Sequence, residues 1–100
     1  MHLFVELRIK QIDDKKNGAF AILDGDKKAG EMSYVWAGDD KIIIDHTEVD
    51  EAYGGQGIGK KVLLALVDWT RNNNIKVIPL CPFAKAQFDK NTEIRDVLSQ

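Results

Sequence analysis

The chain has 100 residues, of which 44% are hydrophobic and 30% are charged, and its formal net charge is −2. This balance is typical of globular proteins and predicts one compact domain spanning residues 1–100, with no disordered segment expected. Lysine and arginine are scattered, so the sequence predicts neither a nucleic-acid partner nor an anionic membrane partner. No apolar run approaches the roughly 18 residues that a membrane-spanning helix needs.

Cysteine usage and the N-terminal sequence both predict a cytoplasmic protein. Cys81 is the single cysteine, so no disulfide can form within the chain, which fits a reducing compartment. The opening sequence MHLFVELRIK lacks the basic start, apolar centre and small-residue exit of a signal peptide. The two histidines, His2 and His46, are far apart in the sequence, so we expect no metal site.

The first half of the chain has the pattern of four strands joined by turns. In LFVELRIKQI, residues 3–12, apolar and polar residues alternate, which predicts a half-buried strand. The pair Asn17-Gly18 is a typical hairpin signal. Because the connections are short, we expect antiparallel pairing. The other three predicted strands lie at 19–23, 29–37 and 41–49.

The second half changes to a helical period. Apolar residues recur every three or four positions from Gly57 to Arg71, which predicts an amphipathic helix. A short strand is predicted at 75–80, and a second helix at 82–91 with Pro82 in its favoured first turn. Residues 92–100 are predicted as a last turn or a third helix capped by Thr92. The predicted fold class is therefore α+β, a mostly antiparallel sheet of about five strands packed with two or three helices.

The stretch YGGQGIGK, residues 53–60, joins the fourth strand to the first helix. The first N–H groups of a helix have no partner within it, and the helix dipole adds positive charge there. Glycines let an anion approach the backbone closely, and Lys60 and Lys61 add further charge. The stretch therefore predicts a phosphate-binding loop, with a flexible connector as the alternative.

Two common nucleotide motifs do not fit this loop. Gly54 to Lys60 has the spacing of a P-loop, but Lys61 replaces the Ser or Thr that holds magnesium. After Gly55 and Gly57, the third glycine of a dinucleotide-binding fingerprint would fall on Lys60. Neither a P-loop nor a dinucleotide site is therefore expected.

The QGIG within this loop resembles the acyl-CoA pyrophosphate loop of the GNAT superfamily of N-acetyltransferases, whose pattern is [Gln/Arg]-x-x-G-x-[Gly/Ala]. Gly57 and Gly59 match the last two fixed positions, whereas Gly54 stands where Gln or Arg is usual. Two flanking stretches add to the likeness and make it similar to compact, single-domain GNAT-like proteins of the YjdJ type: DHTEV at 45–49 and LCPF at 80–83.

The resemblance implies a GNAT-like fold, acetyl-CoA as cofactor, and acetyl transfer to an amine, which could belong to a protein side chain. It implies that the fourth and fifth strands splay apart and that pantetheine lies along Thr47, Glu48 and Val49, where a backbone N–H polarises the thioester carbonyl. The alternative function is a non-catalytic CoA-binding or protein-interaction module. The residues implied to hold the pyrophosphate are Gly54, Gly55, Gln56, Gly57, Ile58, Gly59, Lys60 and Lys61.

Cys81 and His46 are the candidate catalytic residues. Cys81 precedes Pro82 at a predicted helix N-terminus, where Ser, Thr, Asp or Asn is the usual cap and where a thiolate is favoured. We expect Cys81 to accept the acetyl group and pass it on; a buried structural cysteine, with direct transfer from CoA to amine, is the alternative. His46 is a candidate general base for the ammonium or the thiol, or an ordinary strand histidine.

Overall fold

The computed structural model describes residues 7–99, and within them the chain forms one five-stranded sheet with helices packed on it. The strands follow one another across the sheet in chain order, β1 to β5. This architecture confirms the predicted α+β class. The elements are β1 Leu7–Asp13, β2 Asn17–Asp24, β3 Lys27–Trp36, β4 Lys41–Val49, a 3-10 turn Glu51–Tyr53, α1 Ile58–Asn72, β5 Lys76–Pro79, α2 Pro82–Lys90 and a 3-10 segment Thr92–Val97.

The first four strands pair antiparallel, as their short connections predict. β5 instead pairs parallel to β4. Between these two strands α1 carries the chain back, so that β5 begins beside Lys41 at the start of β4. This strand–helix–strand crossover places the glycine-rich loop at the end of β4 and at the start of α1.

The first hairpin turns within DDKKNG, residues 13–18, as the sequence predicts, but ahead of the pair Asn17-Gly18 that is its strongest signal. The turn centres on Lys15, which adopts a left-handed φ of 75°, and the Asp14 N–H donates to the Asn17 carbonyl at 3.0 Å. Asn17 and Gly18 belong to β2. Gly18 faces Tyr34 across the sheet, and the Tyr34 ring fills the space that a Cβ at this position would need. The glycine is therefore required by close packing and not by the turn.

The prediction that the first strand is half buried is wrong for the part that the structure describes. Ile9 is 48% exposed and Ile12 is 57% exposed. The reason is coverage: β1 is the edge strand, and α1 packs over β2, β3 and β4 instead. Residues 3–6 of the predicted strand lie outside the described residues.

The core forms between one face of the sheet and α1, which the spacing of apolar residues predicts correctly. Trp69 of α1 lies 5.5 Å from Phe20 and 5.3 Å from Tyr34, measured between ring centroids. The buried face of α1 consists of Ile58, Gly59, Val62, Leu63, Leu66, Val67 and Thr70.

The last part of the chain closes the β5 edge of the sheet. Pro82 takes the first position of α2, as expected, whereas Asn91 and not Thr92 precedes the final 3-10 segment as its cap. The Ser99 N–H donates to the Val77 carbonyl at 2.9 Å, and Leu98 forms a parallel bridge with the same residue. The outer side of β5 is therefore covered by the chain itself.

Candidate functional site

β4 and β5 stay together for only half the length of β4. Their pairing covers Lys41–Ile44 on β4 and Lys76–Pro79 on β5. The N–H groups of Leu80 and Cys81 then both donate to the Ile44 carbonyl at 3.0 Å, and the chain turns away into α2. Residues 45–49 of β4 consequently have no strand partner on that side, and a gap opens between β4 and the start of α2.

A bulge in β4 marks the point where the gap begins. Ser33 pairs with His46 and Tyr34 pairs with Ile44, so Asp45 is the extra residue. The Ser33 hydroxyl donates to an Asp45 carboxylate oxygen at 2.7 Å. The bulge fixes the side on which every later side chain of β4 lies, since strand residues alternate between faces.

Thr47 lies on the helix-covered face of the sheet and contacts Cys81. Its Oγ1 is 3.1 Å from the Cys81 Sγ, within hydrogen-bond distance for a sulfur partner, although the residues are 34 positions apart in sequence. Cys81 is 5% exposed and caps α2 without a side-chain hydrogen bond to the helix. Two of the predicted site residues are thus brought together at the base of the gap.

His46 lies on the opposite, open face of the sheet. It pairs across from Ser33, and its Nε2 is 3.0 Å from Oε1 of Glu48, with both side chains exposed. Because Thr47 lies between them in sequence and faces the other way, the fold separates His46 and Glu48 from Cys81. The structure therefore forms a His46–Glu48 pair and a Thr47–Cys81 pair on different faces.

The end of β4 borders a cavity of about 530 Å³. Val49 is 39% exposed there and lies opposite Gly30 of β3. A Cβ on Gly30 would lie 2.6 Å from Cγ2 of Ile58, so this glycine is needed for the close approach of α1 to the sheet. The cavity is lined by Lys28, Gly30, Glu31, Thr47, Glu48, Val49 and Asp50.

The glycine loop divides into an open part and a packed part. Gly55 and Gly57 have φ values of 80° and 71°, which side-chain-bearing residues rarely adopt, and no atom lies within 4 Å of the place of a Cβ. Gly57 caps α1 without a side-chain hydrogen bond. An anion can therefore reach the backbone N–H groups of the first turn, beside the exposed Lys60 and Lys61.

Gly54 and Gln56 are also exposed, and Gly54 has an ordinary φ of −58°. Ile58 and Gly59, by contrast, are packing residues. Ile58 is 1% exposed, and a Cβ on Gly59 would lie 2.6 Å from Cζ of Phe83 in α2. The start of α1 is thus held against both β3 and α2, which gives the loop a fixed end. The open glycines and the unpaired edge of β4 are compatible with a phosphate and an extended chain of amides, the two parts that a CoA site must hold.

Sequence reasoning missed the contact that holds the other end of this loop. The Tyr53 hydroxyl donates to Oδ2 of Asp24 at 2.6 Å, and the Lys27 ammonium lies 5.6 Å from the centre of the Tyr53 ring. The hydrogen bond to Asp24, with a smaller contribution from burial, raises the pKa of Tyr53. Tyr53 and Asp24 are 29 positions apart, so no local pattern indicates the contact.

Within residues 7–99, no helix is long and apolar enough to cross a membrane. In the same part of the chain, no three His, Cys, Asp or Glu side chains converge as metal ligands. The polar side chains of this part of the molecule are the Thr47 hydroxyl and the Cys81 thiol at the gap, and the His46 imidazole and the Glu48 carboxylate on the open face.

Comparison with known proteins agrees with this geometry. The family described as GCN5-related N-acetyl-transferase matches residues 19–97. Protein NATD1 of Danio rerio is 31% identical over 80 residues, which cover 79% of this chain and 73% of that protein. A GCN5-like protein from Staphylococcus aureus has an NMR structure that is 39% identical, with a TM-score of 0.74 over 93% of this chain and 88% of that one.

A more distant structure shares the fold alone. It is an aminoglycoside acetyltransferase from an uncultured soil sample, 17% identical, with a TM-score of 0.62 over 88% of this chain and 62% of that one. The family match and the two nearer relatives show that the chain belongs to the GNAT family of N-acetyltransferases, as the QGIG loop and its flanking stretches indicate. Members of this family generally use acetyl-CoA as the acyl donor.

Proposed function

We propose that this protein is an N-acetyltransferase that binds acetyl-CoA in the gap between β4 and β5 and transfers the acetyl group to a primary amine. The separation of the two strands after Ile44, directly beside an open glycine loop, carries the proposal. Acetyl-CoA, when bound, supplies the acetyl group as a thioester. A cytoplasmic location, a single domain over residues 1–100 and the YjdJ-type subgroup remain predictions.

Two neighbouring segments of the chain are proposed to bind the two parts of the cofactor. The unpaired edge of β4, at Thr47, Glu48 and Val49, offers backbone groups to the amides of pantetheine as an added strand would. An N–H of this edge is also the donor that polarises the thioester carbonyl. The pyrophosphate is held by residues 54–61: the N–H groups at Gly55 and Gly57 and in the first turn of α1 donate to it, and the cations Lys60 and Lys61 balance its charge.

Cys81 is proposed to carry the acetyl group, because it lies at the base of the gap with Thr47 as its hydrogen-bonding neighbour. Its Sγ bonds to the acetyl carbon, the bond from that carbon to the CoA sulfur breaks, and the thiol proton ends on that sulfur. The amine nitrogen then bonds to the acetyl carbon, the bond from that carbon to the Cys81 Sγ breaks, and the departing thiolate takes the proton that the amine nitrogen loses. The rival route is direct transfer from CoA to the amine, which the burial of Cys81 favours.

His46 is proposed to act on the amine and not on the thiol. It lies on the open face, with Glu48 as its partner, and the sheet separates it from Cys81. An amine that approaches from the open face meets an imidazole able to take its proton and a carboxylate able to attract its positive charge. This assignment keeps the two candidate catalytic residues on opposite sides of β4.

Intact mass spectrometry tests the covalent route. Incubation with acetyl-CoA is expected to add one acetyl group to the protein, and hydroxylamine is expected to remove it, as for a thioester. Cys81→Ala is expected to abolish the adduct, while Lys85→Ala, an exposed change on α2, leaves it unchanged. An adduct that persists in Cys81→Ala would contradict the role of Cys81 as carrier.

Ligand-dependent stability tests the binding site independently of chemistry. A ligand at about a hundred times its Kd adds roughly 2.7 kcal/mol to the free energy of unfolding. Gly57→Asp is expected to weaken CoA binding, because it places a carboxylate at the proposed pyrophosphate position, whereas Gly57→Asn is a neutral control of similar shape. No stabilisation of the wild-type chain by CoA would contradict both the enzyme and the non-catalytic CoA-binding module; stabilisation without acetyl transfer to any amine would favour that module.

A further inference from the structure

A second cavity lies at the opposite end of the sheet from the proposed acetyl-CoA site. Its volume is about 510 Å³, and we call it the tryptophan pocket: Asp13, Lys15, Trp36, Asp39, Trp69 and Asn73 line it. Trp36 pairs with Ile42, five positions before Thr47 on β4. At the rise of a β-strand, this places the pocket roughly 16 Å from the Thr47–Cys81 contact.

Hydrogen bonds fix the indole that forms one wall of the pocket. Trp36 Nε1 donates to Oδ2 of Asp13 at 2.9 Å, and the Tyr34 hydroxyl donates to the same oxygen at 2.5 Å. Trp69 then meets Trp36 edge to face, with ring centroids 5.7 Å apart and an interplanar angle of 80°. Both tryptophans are partly exposed, so the chain holds two oriented indoles at an open cavity instead of burying them.

A positive charge already lies against this wall. The Lys15 ammonium is 5.9 Å from the centre of the Trp36 ring, within the range of a cation–π contact. Lys15 has a left-handed φ of 75°, and its N–H donates to Oδ1 of Asp13 at 2.7 Å. This contact shows that the face of the Trp36 ring accepts a cation.

The charges of the pocket favour the same chemistry. Partial burial acts to raise the pKa of Asp13, but the hydrogen bonds from Tyr34, from the Lys15 N–H and from Trp36 outweigh it and leave the pKa below its usual value. Asp39 adds a second carboxylate at the rim. Aromatic faces beside carboxylates are the combination that recognises an organic cation.

We propose that the tryptophan pocket binds an organic cation, an alkylammonium or a guanidinium group, which displaces the Lys15 ammonium from the face of Trp36. The binding is separate from the acetyl-transfer site and does not depend on it. A small free amine and a lysine or arginine side chain on a peptide share this chemistry, and the experiment distinguishes the two sources.

Intrinsic fluorescence is a specific probe because both tryptophans of the chain line this pocket. The protein is titrated at constant ionic strength with n-butylammonium and, separately, with trilysine. A saturable change in emission with n-butylammonium assigns the site to small amines, and one with trilysine alone assigns it to peptide side chains. No saturable change with either cation, or an equal response to neutral n-butanol, would overturn the proposal.

Two exposed lysines in the same turn provide a matched pair of variants. Lys15→Ala removes the competing cation and is expected to tighten binding by about fivefold, given the usual strength of an exposed cation–π contact. Lys16→Ala removes the same charge beside the pocket without that contact, so affinity is expected to stay near that of the wild type. Asp39→Asn is expected to weaken binding about fivefold. If both lysine variants bind the cation more tightly by the same factor, the gain comes from the lost positive charge alone, and the proposed displacement of the Lys15 ammonium is refuted.

Discussion

The two halves of β4 belong to one strand but have different surroundings. Residues 42–44 pair on both sides, with β3 and β5, and their inward side chains Ile42 and Ile44 are fully buried. Residues 46–49 pair with β3 alone, and His46, Glu48 and Val49 are exposed. One strand therefore contributes first to the hydrophobic core and then to an edge that can accept another extended chain.

The difference arises from the bulge at Asp45 and from the length of β5. β5 has only four residues, so it runs out beside Ile44, and Cys81 starts the turn into α2. Because the gap results from a short partner and not from a missing core, the sheet can remain stable while its binding edge stays unpaired. The predictions below test this division between a stabilising half and a binding half.

The largest expected effect is in the paired half. Ile44→Ala removes a side chain with 0% exposure between two strands and should lower the free energy of unfolding by about 2–5 kcal/mol. Val49→Ala, at 39% exposure in the unpaired half, should cost less than about 1 kcal/mol. Urea denaturation of both variants checks the contrast; equal losses would mean that the two halves contribute equally to stability.

The second effect concerns the packing behind the unpaired half. Gly30→Ala places a Cβ 2.6 Å from Cγ2 of Ile58 and 3.1 Å from the Glu48 carbonyl, so α1 or β4 must shift, at about 1–3 kcal/mol. Gly54→Ala is the control: its φ is −58° and its nearest neighbour, the Glu51 carbonyl, lies at 3.4 Å. Its unfolding free energy should change by less than about 0.5 kcal/mol. If Gly30→Ala leaves the free energy of unfolding unchanged, the packing between α1 and the unpaired half of β4 can adjust to an added methyl group.

A smaller effect is expected at the contact between Thr47 and Cys81. Thr47→Val removes the hydroxyl 3.1 Å from the Sγ and should lower the unfolding free energy by about 1 kcal/mol, whereas Thr47→Ser keeps the hydroxyl. The same two changes are then made in Cys81→Ala. If Thr47→Val costs as much without the thiol as with it, the contact contributes nothing to stability.

The smallest expected effect is on stability in acid, and it concerns Asp13, the last residue of β1. Hydrogen bonds from Tyr34, Trp36 and the Lys15 N–H hold the pKa of Asp13 below the ordinary value of 3.8, despite the opposing effect of burial. The ionised Asp13 therefore stabilises the fold above that value, and this contribution is lost as pH falls through its lower folded-state pKa. Asp13→Asn should flatten this part of the pH dependence in urea denaturation series between about pH 5 and pH 2. An unchanged acid profile would show that the Asp13 bonds carry no pH-dependent stability.

The sequence predicts the elements and the family because their signals are local. The short turns between the first four strands, the apolar period of α1 and the QGIG loop each lie within one short segment, and the structure and the relatives confirm the fold they indicate. The role of Gly18 is not predicted, because Asn17-Gly18 looks like a turn pair although Gly18 belongs to β2 and makes room for Tyr34.

The sequence does not predict how the site residues meet. The bulge at Asp45 depends on the pairing of two strands, and it decides that Thr47, and not His46, lies on the helix-covered face. The contacts from Thr47 to Cys81 and from Tyr53 to Asp24 join residues that are 34 and 29 positions apart. Distances in sequence of this size carry no periodic signal, so only the folded chain reveals these pairs.

The order of the strands has a consequence for how the molecule assembles. Since β1 to β4 follow one another across the sheet, each early pairing closes a short loop and can form quickly. The pairing of β4 with β5 must wait for the whole of α1, and closing this longer connection costs more chain entropy. We therefore expect β5 to dock last. The gap between β4 and β5 then forms late in folding, whereas the β4 edge that borders it is present as soon as β3 and β4 have paired.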